Sequence, residues 1–387
     1  MSKIYLPNAS QFDLMNENLA KIANAIASDI DTSTWAGIQK AVRAGVAPDL
    51  FPVGTQLSVK HTVYGEHMYD VVAHNYFKSA HDKNAHTMTL MCHDALTGLE
   101  YDAREAFYCF EDEEGAELGA GTYNFTLANT YGSWAGGTTY KFTLTSGVPA
   151  GGVLCIDNPD TGLPLESLSV VVYDSILATA ARETAAISRV ESGNGGTSLG
   201  TFGADLNHVH RVVNGSNNYK ESAIRQFLNS SAGAGAVWKP QTKFDRAPSW
   251  HTTTAGFMAG LDSDFLSVVG EVIVPCSANN TYESPDFATG KGGKYTVTDK
   301  FYLASQVEIS GVTSETVGDD SILFPYYEGA TSADRIKYRE GGAAGWWLRS
   351  ASSGTSHSVR VINTSGGLYS YSASPTKGGF APVCTIV

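Results

Sequence analysis

The sequence predicts an α+β protein built from short helices and small antiparallel sheets. In the first 50 residues, apolar side chains recur at near-helical spacing: Leu14, Leu19, Ile22 and Ile26. Later segments instead alternate apolar and polar residues, as half-buried strands do. The 40 Gly and 19 Tyr, with only 17% charged residues, favour strands and loops with weakly charged surfaces. A chain of 387 residues, 42% of them hydrophobic, is long enough for two or three domains with real cores.

A second helix is predicted close to the N-terminus. Thr34 is a suitable N-cap and Gly45 a suitable end. Between them runs one apolar stripe, made of Trp35, Ile38 and Val42. A unit this small cannot bury its stripes alone, so it should pack on the rest of the chain or on copies of itself. We therefore interpret residues 1–50 as a helical oligomerisation or docking segment.

Strands replace helices after residue 50. Residues 56–59 and 69–74 fit the two arms of a hairpin around Tyr64 and Gly65, and residues 86–91 fit a third strand. We assign residues 51–110 to the first part of the main domain.

Residues 111–200 read as a β-rich module inserted into that domain. Four segments have strand-like patterns: 123–127, 139–144, 153–156 and 168–172. Residues 192–200 are rich in Gly and Ser and are predicted to be a linker.

The remainder of the main domain is assigned to residues 201–387. A helix at 222–229 places three apolar residues on one face, Ile224, Phe227 and Leu228. A second helix is predicted at 264–269, and a strand at 271–276. Short strands and turns fill the rest.

Charge and composition exclude several functional classes. The net charge is −13 and Lys and Arg form no run, so nucleic-acid binding lacks its electrostatic signature. The N-terminus has no basic start followed by an apolar core, so we expect synthesis in the cytoplasm without a signal peptide. No apolar stretch is long enough for membrane insertion.

The five cysteines are scattered, at Cys92, Cys109, Cys155, Cys276 and Cys384. Without a CxxC pair, buried free thiols in a reducing compartment are expected. One Cys92–Cys109 bridge is the alternative.

The C-terminal segment carries the most informative pattern. It begins with WWLRS at 346–350, continues with SVRVINTSGG at 358–367, and closes with GGFAPVCTI at 378–386. Trp346 and Trp347 are large anchors, of which we expect one to be buried and one to lie near the surface. Ser358, Arg360 and Ile362 should share one face of a strand, and Val359 and Val361 the other.

Two polar runs separate these anchors, at 351–357 and 368–377. They contain Ser, Tyr, Thr and Gly and almost no charge, which is the composition of an antibody paratope. Ordinary solvated loops are the alternative interpretation.

The WWLRS…VRVINTSGG…GGFAPVCTI pattern resembles the C-terminal part of C-type-lectin-like domains in phage and bacterial surface-binding proteins, which are related in fold to the formylglycine-generating enzyme. The closing strand departs from that family at Phe380 and Ala381, where Val and Arg are common. Weaker upstream matches to prophage tail proteins of gut Firmicutes occur in the same order, at 216–229, 243–248, 260–266 and 299–305. The resemblance covers about 51–108 and 206–387.

This resemblance implies a non-enzymatic receptor-binding or adhesion protein of a phage or prophage tail. Residues 346–384 would be the variable region, of the type that diversity-generating retroelements rewrite. The partners implied are a bacterial surface protein or glycan, other virion tail proteins and, as a homotrimer, two further copies. Trp346, Asn363, Gly366 and Pro382 would be scaffold. The contacts expected on the binding face are Ser352, Ser353, Thr355, Ser356, His357, Arg360, Tyr369, Ser370, Tyr371, Ser374 and Thr376.

An enzymatic function and a metal site are alternatives to the binding function. An oxidase of the formylglycine-generating type would need a cysteine pair, for which Cys276 and Cys384 are available; a purely structural virion protein is the other alternative. His208 and His210 share a strand face, but no third ligand is obvious. Four aspartates offer oxygen ligands for Ca²⁺ without the spacing of an EF-hand loop: Asp262, Asp264, Asp319 and Asp320. We expect no catalytic residue, cofactor or metal.

Overall fold

A computed structural model describes residues 30–104, 108–109, 117–128, 130, 135–156, 165–178, 180–193, 195–202, 214–241, 245–278, 293–314, 316, 321–353, 357–374 and 376–387. Over these residues the fold is mixed α+β, with few, short helices and small antiparallel and mixed sheets. The coarse class predicted from the sequence is confirmed. The helix expected around Leu14, Leu19, Ile22 and Ile26 lies outside the described residues.

The helices are short, at nine residues or fewer. The α-helices are α1 Trp35–Arg43, α2 Ala47–Leu50, α3 Ala223–Leu228, α4 Ser263–Val268 and α5 Gln306–Ser310. Single 3₁₀ turns lie at Leu165–Ser167, Phe257–Gly260, Pro325–Tyr327 and Ala333–Arg335. Side chains cap four of these helices at their N-termini: Thr34 on α1, Ser222 on α3, Asp262 on α4 and Ser305 on α5.

Helix α1 packs against its own chain. Its apolar stripe is buried at Ile38 and Val42, and the Trp35 ring lies 4.7 Å from that of Phe265 in α4. Gln39 donates a 2.8 Å hydrogen bond to the carbonyl of Val387. This stripe is therefore occupied within the chain, and an oligomerisation role for the N-terminal segment would fall to residues 1–29.

Two five-stranded sheets form the main domain. The first has the order β1 Gln56–His61, β2 Gly65–His74, β3 Met88–Cys92, β22 Val383–Ile386 and β15 Phe301–Tyr302. The second has the order β20 Leu368–Ser372, β19 Ser358–Ile362, β18 Trp346–Ala351, β21 Lys377–Phe380 and β4 Leu96–Glu100. Each sheet combines strands from the start and the end of the chain, and one continuous apolar core packs against both.

The inserted module has a core of its own. Its strands are β5 Tyr108–Cys109, β6 Gly121–Leu127, β7 Thr139–Leu144, β8 Val153–Ile156, β9 Ser169–Tyr173, β10 Glu183–Ala186, β11 Ser188–Arg189 and β12 Thr197–Phe202. They form two four-stranded sheets, β10-β9-β8-β5 and β11-β7-β6-β12. Buried side chains from both sheets make the core, among them Phe125, Tyr140, Ile156 and Val172.

The prediction of a linker at 192–200 is wrong for its C-terminal half, which belongs to a strand. Strand β12 begins at Thr197 and pairs in parallel with β6. The chain enters it through Gly196, at φ 109°, where an added Cβ would lie 2.2 Å from the carbonyl oxygen of Thr122. Asn124 donates a 2.8 Å hydrogen bond to the Gly196 carbonyl. Glycine here allows close approach of two backbones rather than flexibility.

Two short hairpins complete the fold. One joins β13 Val272–Ala278 to β14 Gly293–Asp299, and the other joins β16 Lys337–Arg339 to β17 Gly342–Ala344. Arg225 of α3 donates hydrogen bonds from Nε and Nη2 to the Asp299 carboxylate, at 2.7 to 3.0 Å. That bidentate pair fixes α3 to β14.

Three of the cysteines expected to be free are free and buried: Cys92, Cys276 and Cys384. A Cys92–Cys109 bridge is therefore wrong. Strand β5 instead places the backbone of Cys109 opposite Cys155.

The buried ring of His61 should make folding stability depend on pH. Its Nδ1 accepts from the N–H groups of Val63 and Tyr64, and its Nε2 donates to the Phe257 carbonyl at 2.8 Å, so the ring is neutral. Burial lowers the pKa of His61. The unfolded state therefore takes up a proton first as pH falls below about 6.5, and the stability that His61 contributes above this pH declines.

The test compares His61→Gln with the parent chain in urea. We expect the variant's deficit in unfolding free energy to be larger at pH 7.5 than at pH 5.5. An equal deficit at both values would contradict a neutral His61.

Candidate functional site

The WWLRS motif is buried, and its side chains donate hydrogen bonds to other segments of the chain. Trp346 and Trp347 are both fully buried; Trp346 Nε1 donates to the Arg335 carbonyl at 3.2 Å, and Trp347 Nε1 to the Leu99 carbonyl at 2.8 Å. The expectation that one of them lies near the surface is wrong. Successive side chains of β18 point to opposite faces of the sheet, and the protein covers both faces here.

Arg349 is the central attachment of β18. It is 1% exposed, and it contacts Glu308, which is 0% exposed, through two guanidinium nitrogens. Its other donor contacts are to the carbonyls of Pro275 at 2.9 Å and Leu303 at 2.8 Å and to the hydroxyl of Ser321 at 2.9 Å. Glu308 also accepts from the backbone N–H of Ser305 at 2.8 Å, within the capping box of α5. The buried charges are thus paired and hydrogen-bonded, which burial requires.

Residues 368–372 are a strand, not a loop. β20 pairs with β19 in register, from Ile362 opposite Leu368 to Ser358 opposite Ser372. The ladder continues by one bond, in which the N–H of Ala373 donates to the His357 carbonyl at 2.9 Å. The end of the first polar run and the end of β20 therefore lie side by side. β20 is the edge strand of its sheet.

The register divides the predicted contacts between two faces. Tyr369 and Tyr371 lie opposite Val361 and Val359, on one face. Ser370 lies opposite Arg360 on the other face, where Arg360 donates to its hydroxyl at 2.7 Å. The two β19 faces expected from the sequence are confirmed, but the predicted contacts do not share one of them.

We call Tyr369 and Tyr371 the tyrosine pair. Their ring centroids are 5.6 Å apart, and Tyr369 is 56% exposed. Tyr371 is half-buried, with its ring edge-on to Trp347 at 6.1 Å. It also lies over Gly345, where an added Cβ would be 3.6 Å from the ring. Tyr371 thus joins the exposed ring to the core, and two aromatic rings so held offer contact area at little entropic cost.

Three predicted contacts are buried in the framework: Ser352, Arg360 and Ser374. Arg360 Nε donates to the Gln306 side chain at 2.6 Å, which explains why it points inward. The N–H of Ser374 donates to the Asn214 carbonyl at 2.7 Å. These positions correct the expectation that all three side chains meet a ligand.

The other predicted contacts occupy varied positions. Ser353 is exposed, whereas His357, Ser370 and Thr376 are half-buried. Burial lowers the pKa of His357, which favours its neutral ring. Thr355 and Ser356 lie outside the described residues.

The residues considered for metal binding have other roles or are not described. Asp262 is the N-cap of α4 and accepts from the N–H groups of Asp264 and Phe265 at 2.9 and 3.2 Å. Asp319, Asp320, His208 and His210 lie outside the described residues. Where side chains are described, no group of three or more His, Cys, Asp or Glu could hold a metal ion.

Sequence reasoning missed a polar groove next to β4. It has a volume of about 610 Å³, and its lining includes Tyr64, His67, Asp94, Thr97 and Arg339. These residues come from three separate stretches of the chain, and no motif connects them. The hairpin β16–β17 brings Arg339 beside β4 and thereby completes the groove.

Over the described residues this is a mixed α+β protein whose C-terminal sheet carries Tyr369 and Tyr371 on its edge strand. Residues 183–387 match the family described as a domain of unknown function (DUF6273), and the chain belongs to this family. The match begins at β10, inside the inserted module. No curated protein and no solved structure matches the chain. Within the described residues, no helix combines the length and apolarity needed to span a membrane.

Proposed function

We propose that this chain is a non-enzymatic binding protein that presents the tyrosine pair on a C-type-lectin-like scaffold. In this proposal it is the receptor-binding or adhesion protein of a phage or prophage tail. It recognises a bacterial surface protein or glycan, assembles as a homotrimer with other tail proteins, and uses many copies on a virion to raise avidity.

The observation that carries the proposal is the separation between framework and exposed ring. Trp347, Arg349 and Arg360 make their bonds within the buried interior. Tyr369 lies on the edge strand. Among the described residues its hydroxyl has no hydrogen-bond partner, so it does not help to hold the fold. Side chains at such a position can be exchanged with little effect on stability, as a diversified binding surface requires.

Burial of the thiols favours binding over chemistry of the formylglycine-generating type. Burial raises the pKa of Cys276 to about 12 and raises that of Cys384 well above its ordinary value. Both thiols are therefore protonated at neutral pH, and a protonated thiol is a poor nucleophile and metal ligand. Cys276 lies on β13 and Cys384 on β22, in different sheets.

The proposal predicts that Tyr369→Ala weakens attachment to bacteria at least tenfold while changing the free energy of unfolding by less than about 0.5 kcal/mol. The measurement is flow cytometry of dye-labelled full-length chain on a panel of intact gut Firmicutes, with urea unfolding alongside.

Leu177→Ala is the matched control. It truncates an exposed apolar side chain, 43% exposed, in the inserted module, and should leave both attachment and stability unchanged. Equal attachment by the Tyr369 and Leu177 variants on strains that the parent binds would contradict the proposed role of the tyrosine pair.

A further inference from the structure

The groove beside β4 contains a cation that has no partner among the described residues. Nη1 of Arg339 is buried, and no hydrogen-bond acceptor meets it. Among the described residues, no carboxylate forms an ion pair with this guanidinium and no hydrogen bond uses its other nitrogens. An Arg side chain has five N–H donors, and a buried donor left without an acceptor is destabilising. Nη1 itself is enclosed, but Arg339 as a whole is half-buried and lines the groove, so the rest of its planar guanidinium is suited to an anionic oxygen pair.

The side chain of Arg339 lies close to the backbone of β4. An added Cβ on Gly98 of β4 would lie 3.1 Å from its Nη1 and 3.2 Å from the carbonyl oxygen of Lys377. The absence of a side chain at position 98 is what admits the guanidinium beside the sheet.

The same groove also contains hydrogen-bond acceptors. His67 Nε2 donates to the Tyr64 carbonyl at 2.8 Å, and its Nδ1 lies 3.3 Å from Oδ2 of Asp94. Asp94 is 37% exposed, and its Oδ1 has no hydrogen-bond partner among the described residues. Thr97 adds a hydroxyl to the lining, and Glu340 adds a second carboxylate. The groove thus offers fixed acceptors and a hydroxyl alongside the cation.

We propose that this groove binds an acidic saccharide, with Arg339 on the sugar carboxylate and Asp94 accepting from ring hydroxyls. A volume of about 610 Å³ lies within the usual range for small-ligand sites. A simple anion would leave Asp94 unused and would be repelled by it. A polyhydroxylated ring with one carboxylate satisfies both side chains. The site involves neither Tyr369 nor Tyr371, so it is independent of the proposed function.

The test titrates the full-length chain with three probes and follows binding by saturation-transfer NMR. The probes are methyl β-D-glucuronide, its neutral match methyl β-D-glucoside, and acetate as a carboxylate without a ring. We expect the glucuronide to bind at least tenfold more tightly than either of the others.

Two variants locate the binding. Arg339→Gln should reduce the affinity for the glucuronide at least tenfold, to the level of the glucoside. Asp94→Asn should also weaken glucuronide binding, and acetate should still not be preferred to the glucuronide. Tyr369→Ala should leave glucuronide binding unchanged. Equal binding of glucuronide and glucoside, acetate binding as tightly as the glucuronide, or unchanged affinity in Arg339→Gln would each overturn the proposal. If Arg339→Gln unfolds, as urea midpoints would reveal, the exposed Asp94→Asn decides the outcome.

Discussion

Arg349→Ala is expected to destabilise the fold by about 3–5 kcal/mol, because it leaves the Glu308 carboxylate buried without its counter-charge. The two groups are 1% and 0% exposed, so water cannot replace the lost partner. The substitution also removes the donors that the carbonyls of Pro275 and Leu303 now use. Urea unfolding followed by tryptophan fluorescence measures the loss.

Two comparisons make this result specific. Arg182→Ala breaks an exposed pair with Asp174, whose N–O distance is 2.8 Å, and should cost only about 0.2–1 kcal/mol. The double variant Arg349→Met/Glu308→Leu removes both charges, so it should lose less than the sum of Arg349→Met and Glu308→Leu. If Arg349→Ala costs no more than Arg182→Ala, the buried pair does not hold β18 in place.

Local signals in the sequence accounted for the helices α1, α3 and α4 and for the first hairpin, but not for α2 or α5. Thr34 with its stripe specified α1, and the spacing of Ile224, Phe227 and Leu228 specified α3, since capping and periodicity act within one or two turns. The β1–β2 hairpin followed from its alternating arms, with Gly65 supplying the positive φ of 85°.

Long-range pairing explains what the sequence did not reveal. Residues 368–372 have the Ser and Tyr content of a loop and become a strand because β19 offers a partner in register. Arg360 looked like a surface contact until Gln306, 54 residues earlier, supplied its acceptor. The Arg339 groove depends on three segments meeting, which no local pattern encodes.

The separation of framework from display also has a physical basis in this sequence. The WWLRS residues are constrained from both sides of the sheet, so exchange at Trp347 or Arg349 disturbs the core. Tyr369 is held by the backbone ladder of β20, which any side chain compatible with a strand can keep, and by its ring contact with Tyr371. The tyrosine pair is therefore positioned by the turn that precedes it as much as by its neighbours.

That turn gives the second large effect. Gly366 lies at φ 78°, and an added Cβ would be 1.7 Å from the backbone oxygen of Ser332. Its N–H donates to the Asn363 carbonyl at 3.0 Å, and Asn363 Oδ1 accepts from the N–H of Gly367 at 2.9 Å. Gly366→Ala must therefore shift the turn away from Ser332, which adds a steric cost of about 1–3 kcal/mol to a left-handed strain of about 1–2 kcal/mol.

Gly341→Ala separates the two costs. Gly341 has nearly the same conformation, φ 80°, but an added Cβ meets nothing within 4 Å, so its alanine variant should lose only the strain term. We expect Gly366→Ala to have the lower urea midpoint of the two and also to attach more weakly to bacteria, because the turn sets the register that positions Tyr369 and Tyr371. Equal midpoints would mean that the Ser332 segment yields readily. Attachment equal to that of the parent chain would mean that the tyrosine pair does not depend on this turn.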